Sequence, residues 1–155
     1  MERNKPKLFT IGYSGFSPEQ FLQMLRSEGV ELLADVRANP VSRKPGFSKQ
    51  RLAEMLSADG IEYQSWPLLG IPSADRKNAA SKAGWEQLLA DYGRSLEQDN
   101  GRVTAARSLA NHARSRVTAV MCMESDLSHC HRKPLAEWIG SRMGFEVVHL
   151  GASER

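Results

Sequence analysis

The stretch Val117-Thr118-Ala119-Val120-Met121-Cys122-Met123-Glu124-Ser125-Asp126-Leu127-Ser128-His129-Cys130-His131-Arg132-Lys133-Pro134-Leu135 decides the fold class. A short apolar run, Val117 to Met121, ends in a cluster of chemically capable side chains. A helical pattern starts directly after it. Apolar run, polar loop and helix N-terminus in that order describe a ligand site at the carboxyl end of a strand in an α/β protein. The exposed N–H groups of the first helical turn favour an anion there, as do Arg132 and Lys133.

The same alternation extends outward in both directions. Leu8-Phe9-Thr10-Ile11-Gly12 reads as a buried first strand. Ser17 then caps a helix, with Pro18 at its first position and Phe21, Leu22 and Leu25 at helical spacing. Gly29 ends that helix. Leu32-Leu33-Ala34-Asp35-Val36 is apolar without alternation, which suits a parallel strand covered on both faces. Ser48 can cap a second helix carrying Leu52, Met55 and Leu56. Ile61 to Trp66 alternates as a third strand. Pro67 to Lys82 is polar and broken by Gly70 and Pro72, and reads as one long loop. Trp85 to Leu96 and Val103 to Arg114 are helical. Arg132 to Met143 follows the fourth strand as a helix, and Phe145 to Leu150 closes the chain as a fifth strand. The expectation is a single α/β domain over residues 1–155, a three-layer sandwich with a mainly parallel sheet of about five strands, Rossmann-like or flavodoxin-like.

Composition bounds the function classes. With 155 residues, 41% of them hydrophobic and 25% charged, the chain suits one globular domain with a real core. No apolar stretch approaches a membrane span. The first residues, Met-Glu-Arg-Asn-Lys-Pro-Lys, carry no secretory signal pattern, so the expectation is a cytoplasmic protein with no membrane partner. The net charge of +3 is spread along the chain. It permits a phosphate-bearing small molecule or a nucleic acid as partner without demanding either. The two cysteines, Cys122 and Cys130, cannot build a disulfide scaffold and are expected as free thiols in a reducing compartment.

The polar residues collect after the strands. Gly12-Tyr13-Ser14-Gly15 follows the first. It is neither a dinucleotide fingerprint nor a phosphate loop. Asp35, Arg37, Asn39, Ser42, Arg43 and Lys44 end or follow the second. Asp35 falls inside an apolar run, where an ionised carboxylate needs a partner, and Arg37 or Arg132 can supply it. A buried Asp–Arg pair that only fixes the loop is preferred over catalysis by Asp35. Glu124, Cys130, His131 and Arg132 follow the fourth strand. Tyr13, Phe47, Tyr63 and Trp66 could wall a ring-shaped ligand or simply fill the core. For Trp66 core packing is preferred.

Taken in order, Thr10-Ile11-Gly12-Tyr13-Ser14, Asp35-Val36-Arg37 with Pro40, Ser42 and Pro45-Gly46-Phe47, Tyr63, Leu69-Gly70, Met121-Cys122-Met123-Glu124 and Cys130-His131-Arg132 resemble the family known as domain of unknown function 488. The resemblance runs from about Leu8 to about His149. It implies a small cytoplasmic α/β protein of a bacterial and archaeal family, and it carries no activity. Leu69-Gly70-Ile71 stands where Leu-Gly-Gly is common, which puts the backbone of that loop in question.

Four chemical readings compete for the cluster. In the leading one it is an enzyme site for a phosphate-bearing, nucleotide-like substrate. Arg37, Arg43 and Arg132 bind the anion, with Tyr13, Ser14, Asp35 and Ser42 around it, while Glu124, Cys130 and His131 do the chemistry. In the second, Cys130 is a thiolate nucleophile favoured by the helix N-terminus, His131 and Arg132. The phosphatase-type arrangement with arginine six positions on is absent, because that position is Ala136, which leaves a rhodanese-like or redox role for the thiol. In the third, Cys122, Glu124, His129, Cys130 and His131 hold a metal. Three consecutive residues cannot easily converge on one ion, so neither metal nor cofactor is expected. In the fourth, the cluster belongs to a non-catalytic nucleotide or nucleic-acid binding module.

Overall fold

The computed structural model describes residues 5–79, 81–124 and 130–151. Its sheet has five parallel strands: β1 (Lys7–Gly12), β2 (Leu32–Asp35), β3 (Glu62–Ser65), β4 (Thr118–Cys122) and β5 (Glu146–Leu150). The helices are α1 (Pro18–Ser27), α2 (Lys49–Ala58), α3 (Ser73–Asn78), α4 (Lys82–Gln98), α5 (Asn100–Ser115) and α6 (Arg132–Met143).

Side-chain alternation along the strands builds two cores. Leu8, Ala34, Val120 and Cys122 face α4, α5 and α6. Phe9, Ile11, Leu33, Ala119 and Met121 face α1 and α2. Every residue of β2 and of β4 is buried, as the unbroken apolar runs predict for strands covered on both faces. The result is a helix–sheet–helix sandwich, the three-layer fold expected from the alternation.

Strand order is β3-β2-β4-β1-β5. β4 lies between β1 and β2, with Thr118 in register with both Leu8 and Leu32. The dinucleotide-binding order 3-2-1-4-5 and the flavodoxin order 2-1-3-4-5 both differ from this. The chain still winds both ways from β1, so helices cover both faces and the carboxyl ends of all five strands share one edge.

Local signals act as the sequence suggests at α1. The Ser17 hydroxyl accepts from the Gln20 N–H at 3.1 Å, and the Gln20 side chain accepts from the Ser17 N–H at 2.9 Å. Gly29 then takes a left-handed φ of 69°. Ser48 occupies the capping position of α2 without capping it. Its hydroxyl accepts from the Ser42 N–H at 3.0 Å and donates to the Ser42 carbonyl at 3.1 Å, closing the loop before α2.

The segment read as one long loop is mostly ordered backbone. It holds a 3-10 turn, Pro67–Leu69, then α3, and α4 begins at its end. Six residues of helix are too few to show periodicity, which is why α3 escapes a sequence reading. Arg102 of α5 pins the turn, with Nε on the Leu68 carbonyl at 2.9 Å and Nη2 on that of Gly70 at 2.8 Å. The Tyr92 hydroxyl of α4 adds a bond to the Leu69 carbonyl at 2.7 Å. None of the described helices is long and apolar enough to cross a membrane.

Candidate functional site

The carboxyl ends of β1, β2, β3 and β4 gather the polar residues into two connected clusters. The first lies on the α1–α2 side of the sheet. Asp35, with no exposed surface, ends β2 and receives four hydrogen bonds. Its Oδ1 accepts from the Arg37 N–H at 3.1 Å and from Arg37 Nε at 2.9 Å. Its Oδ2 accepts from Arg37 Nη2 at 2.7 Å and from the Tyr63 hydroxyl at 2.5 Å. Arg37 Nη1 donates to the Phe47 carbonyl at 2.7 Å. Burial works against the Arg37 charge, but Asp35 outweighs it and raises the guanidinium above its ordinary pKa. Burial, reinforced by Asp35, also raises the Tyr63 phenol.

This geometry corrects part of the anion reading. The fork of Arg37 grips its own carboxylate, so it does not stand open for a phosphate. The partner of Asp35 is Arg37, and the pair fixes the loop back to Phe47. Tyr13 stacks on Phe47 at 4.6 Å, and its hydroxyl donates to Ser42 Oγ at 3.0 Å. Both rings are buried, so they act as core rather than as a wall for a ligand. Trp66 is half-buried, packing against the α4–α6 core with Nε1 on Gln64 at 3.2 Å. Ser14 is exposed, and its N–H bonds the Met123 carbonyl at 2.9 Å. Arg43 is exposed and lies outside the cleft described below.

The second cluster lies on the α4–α6 side. Arg132, the first residue of α6, has no exposed surface. Its Nε donates to the Thr10 hydroxyl at 3.2 Å, which is bonded in turn to His149 Nδ1 at 2.6 Å. Its Nη1 donates to the Glu124 carbonyl and lies 3.5 Å from Cys122 Sγ. Arg132 therefore clamps the loop after β4 onto β1. That loop runs so close to β1 that a Cβ on Gly12 would meet the Glu124 oxygen at 1.9 Å. Gly12 permits a close backbone approach by the protein's own Glu124 carbonyl.

His131 is buried, and its Nε2–H donates to the Val36 carbonyl at 2.8 Å. Desolvation, with Arg76, Arg102 and Arg132 nearby, pulls its pKa from the ordinary 6.5 down to about 4. The ring is therefore neutral at physiological pH, with its Nε2–H held by the Val36 carbonyl. The unfolded chain binds a proton between about pH 6.5 and about 4 that the folded chain refuses, so stability falls as pH drops through this window and levels off below it. The drop is on the order of 3 kcal/mol by linkage. Urea melts from pH 7.5 to 4 will show it, and His131→Gln will flatten the slope. Equal slopes in both proteins would refute this assignment.

Cys122 and Cys130 form a disulfide, which overturns the expectation of two free thiols. Both side chains belong to the α4–α6 core, where the end of β4 and the start of α6 meet. In this state Cys130 has no thiolate, so the nucleophile reading does not describe it. Ser125 to His129, which include the remaining candidate metal ligand, lie outside the described residues. Among the described residues no group of three or more His, Cys, Asp or Glu side chains could hold a metal.

The two clusters meet at a narrow cleft. Arg37, Ala38, Ile71, Arg76, Trp85, Glu124 and His131 line it, together with both cysteines. Arg76 of α3 is the residue that sequence reasoning missed. Its Nε is buried with no hydrogen-bond partner among the described residues. A charged donor left so costs free energy that a bound acceptor would recover.

A family model described as "Domain of unknown function DUF488" matches residues 17–139. That span holds Asp35, Arg37, Arg76, Glu124 and the Cys130–Arg132 segment, although Gly12 and Tyr13 fall before it. No curated protein and no solved structure matches the chain. The matched segment covers most of the chain and nearly the whole site edge, so the protein belongs to the DUF488 family.

Proposed function

We propose that the chain is an enzyme for a phosphate-bearing, nucleotide-like substrate whose oxyanion enters the cleft beside Arg76. The single observation that carries this reading is the buried, unpartnered Nε of Arg76. It faces a shortage of acceptors in a cleft that also holds Arg37 and a neutral imidazole. Arg37 is already neutralised by Asp35, so Arg76 supplies the charge that an oxyanion would answer. Glu124 is the one carboxylate among the described residues lining the cleft, and it takes the proton-transfer role.

An apolar part of a ligand is supported by Met123, which lines the cleft and is one of the exposed large hydrophobic side chains among the described residues. Trp85 adds an aromatic side chain to the cleft wall. A base or ring beside a phosphate fits such a surface.

Calorimetric titration with inorganic phosphate and then nucleoside monophosphates tests the site. Arg76→Ala is expected to weaken binding about 10-fold to 100-fold, the worth of one charge-assisted hydrogen bond. Arg76→Lys should recover only part, because an ammonium replaces a fork by a point. Unchanged affinity in both variants would reject the site. Glu124→Gln should keep binding and cut turnover about 10²-fold or more. Binding without turnover in the native protein would make it a binding module instead.

A further inference from the structure

Cys122 and Cys130 stand eight residues apart in the chain, and the fold brings them together. Cys122 ends β4, the middle strand of the sheet, and Cys130 lies two residues before α6. Both are nearly buried, yet both line the cleft that holds Arg76 and His131. A disulfide deep in a core is inert, whereas one in a cleft wall can be met by a small thiol. Two donors flank the sulfurs. The Arg132 N–H is 3.4 Å from Cys130 Sγ, and Arg132 Nη1 is 3.5 Å from Cys122 Sγ. Such donors stabilise a thiolate, and a stabilised thiolate leaves faster in thiol–disulfide exchange.

We infer that Cys122 and Cys130 form a reversible dithiol–disulfide centre in the cleft wall, which a low-molecular-weight thiol reduces and whose state sets the cleft's affinity for its anion. The second part rests on the anion site proposed above. In the first step, a small thiolate attacks one sulfur. A mixed disulfide forms, the Cys122–Cys130 bond breaks, and the departing sulfur leaves as a thiolate beside Arg132. A second small thiolate then attacks the small-molecule sulfur of the mixed disulfide and displaces the other cysteine. Two electrons pass to the protein, the two small thiols leave joined as their own disulfide, and their protons end on Cys122 and Cys130.

The oxidised bond ties the start of α6, and His131 with it, to the end of β4. It therefore holds two walls of the cleft in one arrangement before any ligand arrives. In the reduced protein the ligand must order those walls itself, which weakens binding. Reduction also loosens the native state by opening a covalent loop, with a loss in Tm on the order of 5 °C.

The test equilibrates the native protein in glutathione buffers spanning reducing to oxidising ratios. Free thiols are then trapped with an alkylating agent and counted by mass spectrometry. Two thiols that vanish and return together as the ratio is cycled support the centre. Thiols free at every ratio, or a disulfide that yields only after unfolding, overturn it. Inorganic phosphate is titrated calorimetrically into both end states. Tighter binding to the oxidised form supports the coupling, and equal binding to both forms overturns it. Absence of phosphate binding in either state rejects the anion site, and with it the coupling, while the thiol count judges the centre by itself.

Discussion

Asp35→Ala is expected to destabilise the protein by about 3–5 kcal/mol, the cost of leaving one member of a buried ion pair alone. Against a typical total of roughly 5–15 kcal/mol, this brings the fold near its limit. The size follows from the geometry. Removing the carboxylate leaves three buried Arg37 donors and the half-buried Tyr63 hydroxyl without their acceptor. Tyr63→Phe, which removes one donor, should cost only about 1 kcal/mol. Replacing Asp35 by Leu and Arg37 by Met together should cost far less than either change alone, because a well-packed apolar pair avoids desolvation. Urea melts of the single and double variants give the coupling. A loss below about 1 kcal/mol for Asp35→Ala would contradict the buried pair.

Gly12→Ala is expected to cost about 3 kcal/mol or more, through forced overpacking. The added methyl would sit 1.9 Å from the Glu124 carbonyl oxygen and 2.8 Å from Arg132 Nη1. The first of these is backbone, so rotating a side chain gives no relief. Either β1 or the loop after β4 must move, and the bond from Arg132 to that carbonyl breaks with it. The effect should appear in stability and in phosphate binding together. Gly93→Ala is the control. A Cβ there meets nothing within 4 Å. That position lies inside α4, so the change should raise stability by about 0.5–1 kcal/mol. Thermal melts that rank the two variants alike would remove the packing argument.

Much of the fold is legible in the sequence because hydrophobic period and capping act locally. Ser17, Pro18 and Gln20 announce α1, and the runs at Leu32 and Val117 announce strands covered on both faces. The edge carrying the site is legible too, since every strand is followed by polar residues. What the polar residues do there is less legible. Arg37 and Arg132 are guanidiniums near a predicted anion site, but sequence does not reveal that each already holds an acceptor of the protein itself. Asp35 and the Glu124 carbonyl are those acceptors. Arg76 was hidden because α3 is shorter than the window in which periodicity can be seen. The pairing of Cys122 with Cys130 depends on how β4 and α6 meet, which composition and compartment arguments cannot supply. The neutral state of His131 depends on its burial and on Arg76 and Arg102, both distant in the chain, beside the adjacent Arg132.

The insertion of β4 between β1 and β2 also orders events in time. β1 has only two strand neighbours, β4 and β5, and both come from the last third of the chain. As the polypeptide leaves the ribosome, β2 and β3 can pair early with α2 across them. β1 waits with both backbone edges open until Thr118 and its successors emerge. The sheet then closes late, when β4 enters as the central slat between β2 and β1, which are not paired with each other, and β5 adds to the far side of β1. Open strand edges held that long invite pairing with other chains. The nascent protein is therefore most exposed to aggregation just before the edge that carries the cleft comes into being, and the same strand that ends the hazard carries Cys122 into that cleft.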